Sequence, residues 1–134
     1  MTRAAFLCEG RAFMRTFGGF RTRAGESFYG EVAGAEVHRL TSAPWLGLER
    51  EGASVALADL QIGLPLAPSK IIAVGLNYAE HIAEMKRTPL GTPLIRFKAP
   101  TSLLPHDGVI EIAFPEHQTH FGLELGVVLG GTAK

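Results

Sequence analysis

From Phe20 onward the chain is broken repeatedly by glycine and proline, and this punctuation limits it to short elements joined by turns. Phe28-Tyr29-Gly30-Glu31-Val32, a turn at Gly34, Glu36-Val37-His38-Arg39-Leu40, Pro44-Trp45 and Glu51-Gly52 before Val55 read as a small antiparallel meander. A compact β subdomain is expected over 20–66. Sixteen glycines, eight prolines and only 19% charged residues in 134 fit a turn-rich β protein better than a helical bundle or a disordered tail. Residues 1–13 show no period, Met14 offers an alternative start, and 1–19 are left as an unassigned extension.

Leu64-Pro65-Leu66-Ala67-Pro68-Ser69 places two prolines where they prevent regular structure, which marks a linker and a boundary near residue 66. Lys70-Ile71-Ile72-Ala73-Val74-Gly75-Leu76 is a continuous β-branched run of the kind found in strands covered on both faces. Asn77, with Glu80 three residues on, has the spacing of a capping box, so a short helix is predicted from Ala79 to Met85. Strand character returns over 94–98, 109–114 and 121–129. The fold class expected is mainly β with short helices (α+β). An apolar strand three residues before Lys134 implies an open edge that pairs with another chain or with a continuation.

Thirteen Lys and Arg balance thirteen Asp and Glu, which argues against nucleic acid or an anionic membrane as partner. Cys8 is the single cysteine, so neither an internal disulfide nor a cysteine zinc site is expected. Glu9 ends the first apolar run too early for a signal peptide, and no stretch reaches the roughly 20 apolar residues of a membrane span. A cytoplasmic chain is the expectation.

Three groups of residues can carry chemistry. His81 and Glu84 lie three apart on the predicted helix, share a face, and outline a general-base dyad; a solvated helix face is the plainer reading of that spacing. His120, Gly122 and Glu124 would share one face of a strand, with Phe121, Leu123 and Leu125 on the other, so nitrogen and oxygen donors could meet a divalent ion. An exposed strand with its polar residues outward is the plainer alternative. Lys98 ends a strand before Ala99-Pro100-Thr101-Ser102, whose hydroxyls could sit beside an anionic substrate, although most lysines are simply solvated. The glycine pairs Gly18-Gly19 and Gly130-Gly131 match no phosphate-binding fingerprint, and His106-Asp107-Gly108 reads as a turn.

Four blocks in order, Lys70 to Tyr78, His81-Ile82-Ala83-Glu84-Met85, Phe97-Lys98-Ala99-Pro100-Thr101-Ser102-Leu103 and Glu124-Leu125-Gly126-Val127-Val128-Leu129-Gly130, resemble the fumarylacetoacetate hydrolase family. The stretch 20–66 looks like the small N-terminal β domain of some bacterial members, and 67–134 like the N-terminal part of the catalytic domain. The resemblance implies a mixed β-roll, incomplete at its C-terminus, and a bound Mg²⁺ or Mn²⁺ that acts on β-keto acids or acylpyruvates by hydrolysis, decarboxylation or isomerisation, as in aromatic-compound catabolism. It gives His81 and Glu84 the catalytic dyad, Lys98, Asn77 and Tyr78 the substrate, and Glu124, with His120 as a partial substitute, the metal. Gly122 stands where the family's Glu-x-Glu motif has its first carboxylate, and a further aspartate ligand would fall beyond Lys134. A truncated copy with weak metal binding and low turnover is therefore implied. Two other readings compete: a noncatalytic fragment or subunit that pairs through its open last strand, as a homodimer or with a missing C-terminal part, and a cupin-like metal site at His117, His120 and Glu124.

Overall fold

The computed structural model describes residues 4–6, 14–89 and 91–131, so Cys8 and most of the unassigned extension lie outside the described residues. Contacts divide the chain into two units, Met1–Leu66 with Leu104–Lys134, and Ala67–Leu103. The class is mainly β with short helices, as the sequence predicts, and every strand pairing described is antiparallel.

The first unit holds a sheet in the order β1 (Ala4–Phe6), β2 (Arg15–Arg21), β3 (Ser27–Ala33), β4 (Glu36–Arg39) and β5 (Val55–Ala56). A short β6 (Gln61–Ile62) pairs with the end of β2 that β1 leaves uncovered. β2 begins at Arg15, inside the stretch that sequence reasoning leaves unassigned. Gly18 and Gly19 erase its alternation, and its partners on both edges decide its conformation instead. The two glycines serve packing: a side chain at Gly19 would strike the Leu64 carbonyl, and the Gly63 amide donates to the Gly19 carbonyl at 2.8 Å. At Gly30, likewise, a side chain would meet that of Val37. Phe17, Phe20, Val37 and Leu40 are buried in this unit.

Glu31 is buried opposite Phe17 on β2 and takes a two-pronged bond from Arg15 (2.6 and 2.7 Å), with Arg50 donating to the same carboxylate at 2.8 and 3.1 Å. The Arg15 hydrogen bonds chiefly, opposed by burial and helped by Arg50, hold the Glu31 carboxyl down at about 2. Arg39 forks onto Glu26 at 2.7 and 2.8 Å while its guanidinium lies 4.3 Å over the Phe28 ring.

Residues 104–131 overturn an expectation. The stretches 109–114 and 121–129 form no strand, and Phe121, Leu123 and Val127 stand in solvent. A strand exists only through a neighbour that takes its backbone bonds, and the sheet of this unit offers these stretches none. The turn at His106 and Asp107 is present, with the Gly108 amide bonded to the Pro105 carbonyl.

In the second unit β7 (Ile71–Gly75) and β8 (Leu94–Lys98) pair from Ile71 with Lys98 to Gly75 with Leu94, and α1 (Ala79–Glu84) lies between them in sequence. The double coverage predicted for β7 is absent among the described residues. Ile72, Val74, Ile95 and Phe97 share one face of the pair and all are exposed, since no further layer lies on it within this unit. The helix is anchored by Ile82, its one buried residue. No helix of the described residues is long and apolar enough to cross a membrane.

Candidate functional site

The turn from β7 into α1 carries most of the residues singled out by sequence. Leu76 adopts a left-handed conformation (φ 53°), unfavourable for a residue with a Cβ, and swings the chain out of the sheet before the helix starts. The capping box is not formed. Tyr78, still extended (φ −110°, ψ 116°), holds the N-cap position without a side-chain cap, which moves Asn77 one residue too early to reach the helix amides. Asn77 instead lines an open cleft of about 270 Å³ with Leu76, Gly91, Thr92 and Pro93.

His81 and Glu84 share the outer face of α1, as their spacing predicts. The His81 Nδ1 lies 3.5 Å from a Glu84 Oε2, at the outer limit of a hydrogen bond, and both side chains are more than half exposed. With Nδ1–H turned to the carboxylate, Nε2 presents its lone pair to solvent and can accept a proton. Lys98 is in register with Ile71, four residues from the Gly75 end from which the turn departs, or on the order of 13 Å along the strand. The structure does not bring it against the dyad. Pro100–Ser102 form a 3₁₀ turn, and the Ser102 hydroxyl is spent on the Ala99 carbonyl at 2.7 Å.

His120 and Glu124 belong to the first unit, both exposed, on the irregular segment where a shared strand face was expected. Among the described residues no group of three or more His, Cys, Asp and Glu side chains comes together to hold a metal ion. A hard divalent cation takes six or more oxygen ligands, so one exposed carboxylate and an imidazole do not fit it, and no step below runs through a metal. The cupin-like arrangement has no support either, because the His117 ring stacks on Phe114 at 5.8 Å and joins no such group.

Sequence reasoning passed over Arg96. It stands two residues before Lys98 on β8, hence on the same face, opposite Ala73. Its Nε comes within 3.7 Å of where a β-carbon on Gly75 would lie. The alternation Arg96-Phe97-Lys98 on a strand is the signal that places both cations on one face.

Residues 70–134 match the family model described as Fumarylacetoacetate (FAA) hydrolase C-terminal. Protein Rv2993c of Mycobacterium tuberculosis is 37% identical over 83 residues, which are 62% of this chain and 31% of that protein. The mitochondrial oxaloacetate tautomerase FAHD2 of Arabidopsis thaliana is 39% identical over 66 residues, 49% of this chain and 30% of its own length. The 4-hydroxyphenylacetate degradation bifunctional isomerase/decarboxylase of Salmonella dublin is 37% identical over 68 residues, 51% of this chain and 16% of that protein. A solved structure of an uncharacterized protein from Mycobacterium abscessus superposes with a TM-score of 0.54 at 32% identity, covering 66% of this chain and 34% of the other. The likeness to the fumarylacetoacetate hydrolase family thus lies in residues 70–134, just under half of the chain. The chain spans about a third of the length of the first curated relatives it matches.

Proposed function

We propose that the protein acts on β-keto acids or acylpyruvates by moving a proton at the carbon next to a carbonyl. The observation that carries this is the His81–Glu84 pair, set on one open helix face inside the segment that matches the family. His81 Nε2 takes the proton from the activated carbon, the electron pair passes to the carbonyl oxygen as an enolate, and return of the proton to oxygen gives the enol. Glu84 fixes the imidazole tautomer and Asn77 and Tyr78 border the turn, while Lys98, on the order of 13 Å along the strand from that turn, attracts the anionic substrate to this face without reaching the dyad. The names of the relatives, oxaloacetate tautomerase and isomerase/decarboxylase, support chemistry of this class, including aromatic-compound catabolism. Decarboxylation or carbon–carbon hydrolysis would also leave an enolate, formed there by loss of carbon dioxide or by transfer of the acyl group to water and not by removal of a proton. The family's members are generally metal-dependent, but His120 and Glu124 do not make a site that fits Mg²⁺ or Mn²⁺ among the described residues, so no part of this reading depends on one.

The test follows keto–enol interconversion of oxaloacetate by ultraviolet absorbance, with and without Mn²⁺. Slow turnover that disappears in His81→Ala is expected. Acceleration left intact by that substitution overturns the assigned roles, and absence of both acceleration and keto-acid binding overturns the reading.

A second reading has its own observation. Phe121, Leu123, Val127 and Leu129 all face solvent, which suits a noncatalytic fragment or subunit that pairs through this stretch with a second copy or with a C-terminal continuation. Self-association abolished by Val127→Lys would favour it, and a monomer at high concentration would reject it.

A further inference from the structure

We propose that a cavity of about 880 Å³ in the first unit binds a free α-amino acid with an apolar side chain, its carboxylate on Arg21 and its ammonium on Asp107. The volume lies within the range of small-molecule sites, and so does the make-up of the wall, mostly apolar with a few polar groups that fix orientation. Phe28, Tyr29, Leu60, Ile62, Leu64 and Pro105 supply the apolar part. Every residue of the wall belongs to the first unit and none to the segment that bears His81, so the proposal does not rest on the keto-acid reading.

The polar groups of the wall select the ligand. Arg21 is in register with Ser27 on β3 and Gln61 on β6, so a guanidinium, a hydroxyl and an amide stand side by side on one face of the sheet. Arg21 gives its Nε–H to the Gly25 carbonyl at 3.2 Å and holds no carboxylate, and neither the Ser27 nor the Gln61 side chain makes a hydrogen bond among the described residues. These are donors for one carboxylate, to which the guanidinium can offer two parallel N–H groups. Asp107 supplies the opposite charge. It stands in the turn after Pro105 with its backbone left-handed (φ 60°) and its side chain exposed, and its contact with His106 Nε2 is long, at 3.5 Å. No ion pair joins Arg21 to Asp107, although both border the cavity. A molecule with both charges can therefore engage both residues, and an α-amino acid adds a side chain for the apolar wall.

The experiment titrates the ¹⁵N-labelled full chain with L-phenylalanine and with three relatives that each lack one feature: 3-phenylpropionate the ammonium, phenethylamine the carboxylate, glycine the side chain. Phenylalanine is expected to bind about tenfold more tightly than any of the three, with amide shifts at Arg21, Ser27 and Gln61. Arg21→Gln should bring it down to the level of phenethylamine, and Asp107→Asn, which suits the same left-handed backbone, to that of 3-phenylpropionate. Because the four ligands are compared on the unaltered chain, the series decides even where a variant disturbs the fold. Equal binding of phenylalanine and either singly charged relative overturns the proposal, as does a folded chain that binds none of the four. Shifts confined to residues outside the cavity overturn it too.

Discussion

Phe20 and Phe97 are both strand phenylalanines, yet one is 4% exposed and the other 74%. The difference lies in what surrounds the strand. β2 is paired on both edges and closed over by Phe28, Val37 and the linker at Leu64, whereas β8 has one partner and an uncovered face. Alternation fixes which residues share a face, but only a further layer turns a face into a core. In this chain the closed region carries the ion triad centred on the buried Glu31, and the open one carries His81, Glu84, Arg96 and Lys98.

The sharpest way to break that contrast is to make one substitution in both places. Phe20→Ala should cost about 3–5 kcal/mol, as removal of a buried phenylalanine does, while Phe97→Ala should stay within about 0.5 kcal/mol. Urea unfolding followed by Trp45 fluorescence reads the first unit directly. Equal losses would show that the Phe97 face is covered in solution.

A smaller effect tests what closes the first unit. Glu31→Gln keeps the shape but removes the charge shared by Arg15 and Arg50, and should cost about 2 kcal/mol at neutral pH. The same group sets an acid response. Its folded value of about 2 lies below the ordinary 4.5, so its contribution is complete above pH 4.5, declines as the pH falls, and is gone below about 2. Urea midpoints at pH 7, 4.5 and 2 should show less acid loss in Glu31→Gln than in the parent chain. An unchanged acid slope would remove the triad from the account.

These regions also differ in how far the sequence disclosed them. The β3–β4 hairpin, β7, α1 and β8 are local matters of turn residues and short apolar runs, and they stand where the residues place them. Others depended on distant partners. β2 could not be read through Gly18-Gly19 because its reason is the Leu64 carbonyl more than forty residues on, and 109–114 and 121–129 have strand composition without strand neighbours. At the site, spacing alone paired His81 with Glu84. It said nothing of which end of the hairpin Lys98 occupies, because that follows from the register with Ile71.

The smallest expected effect separates orientation from stability in the open region. Glu84 and His81 are both well exposed and 3.5 Å apart, so solvent screens the pair and Glu84→Gln should shift stability by at most a few tenths of a kcal/mol. Its role would appear in the imidazole instead. If the carboxylate holds the proton on Nδ1, the ¹⁵N shifts of neutral His81 should report an excess of that tautomer, and Glu84→Gln should lower the ratio about twofold. An unchanged tautomer ratio would leave His81 a solvated histidine without an orienting partner. A changed ratio at unchanged stability would show that this pair serves proton transfer and not the fold.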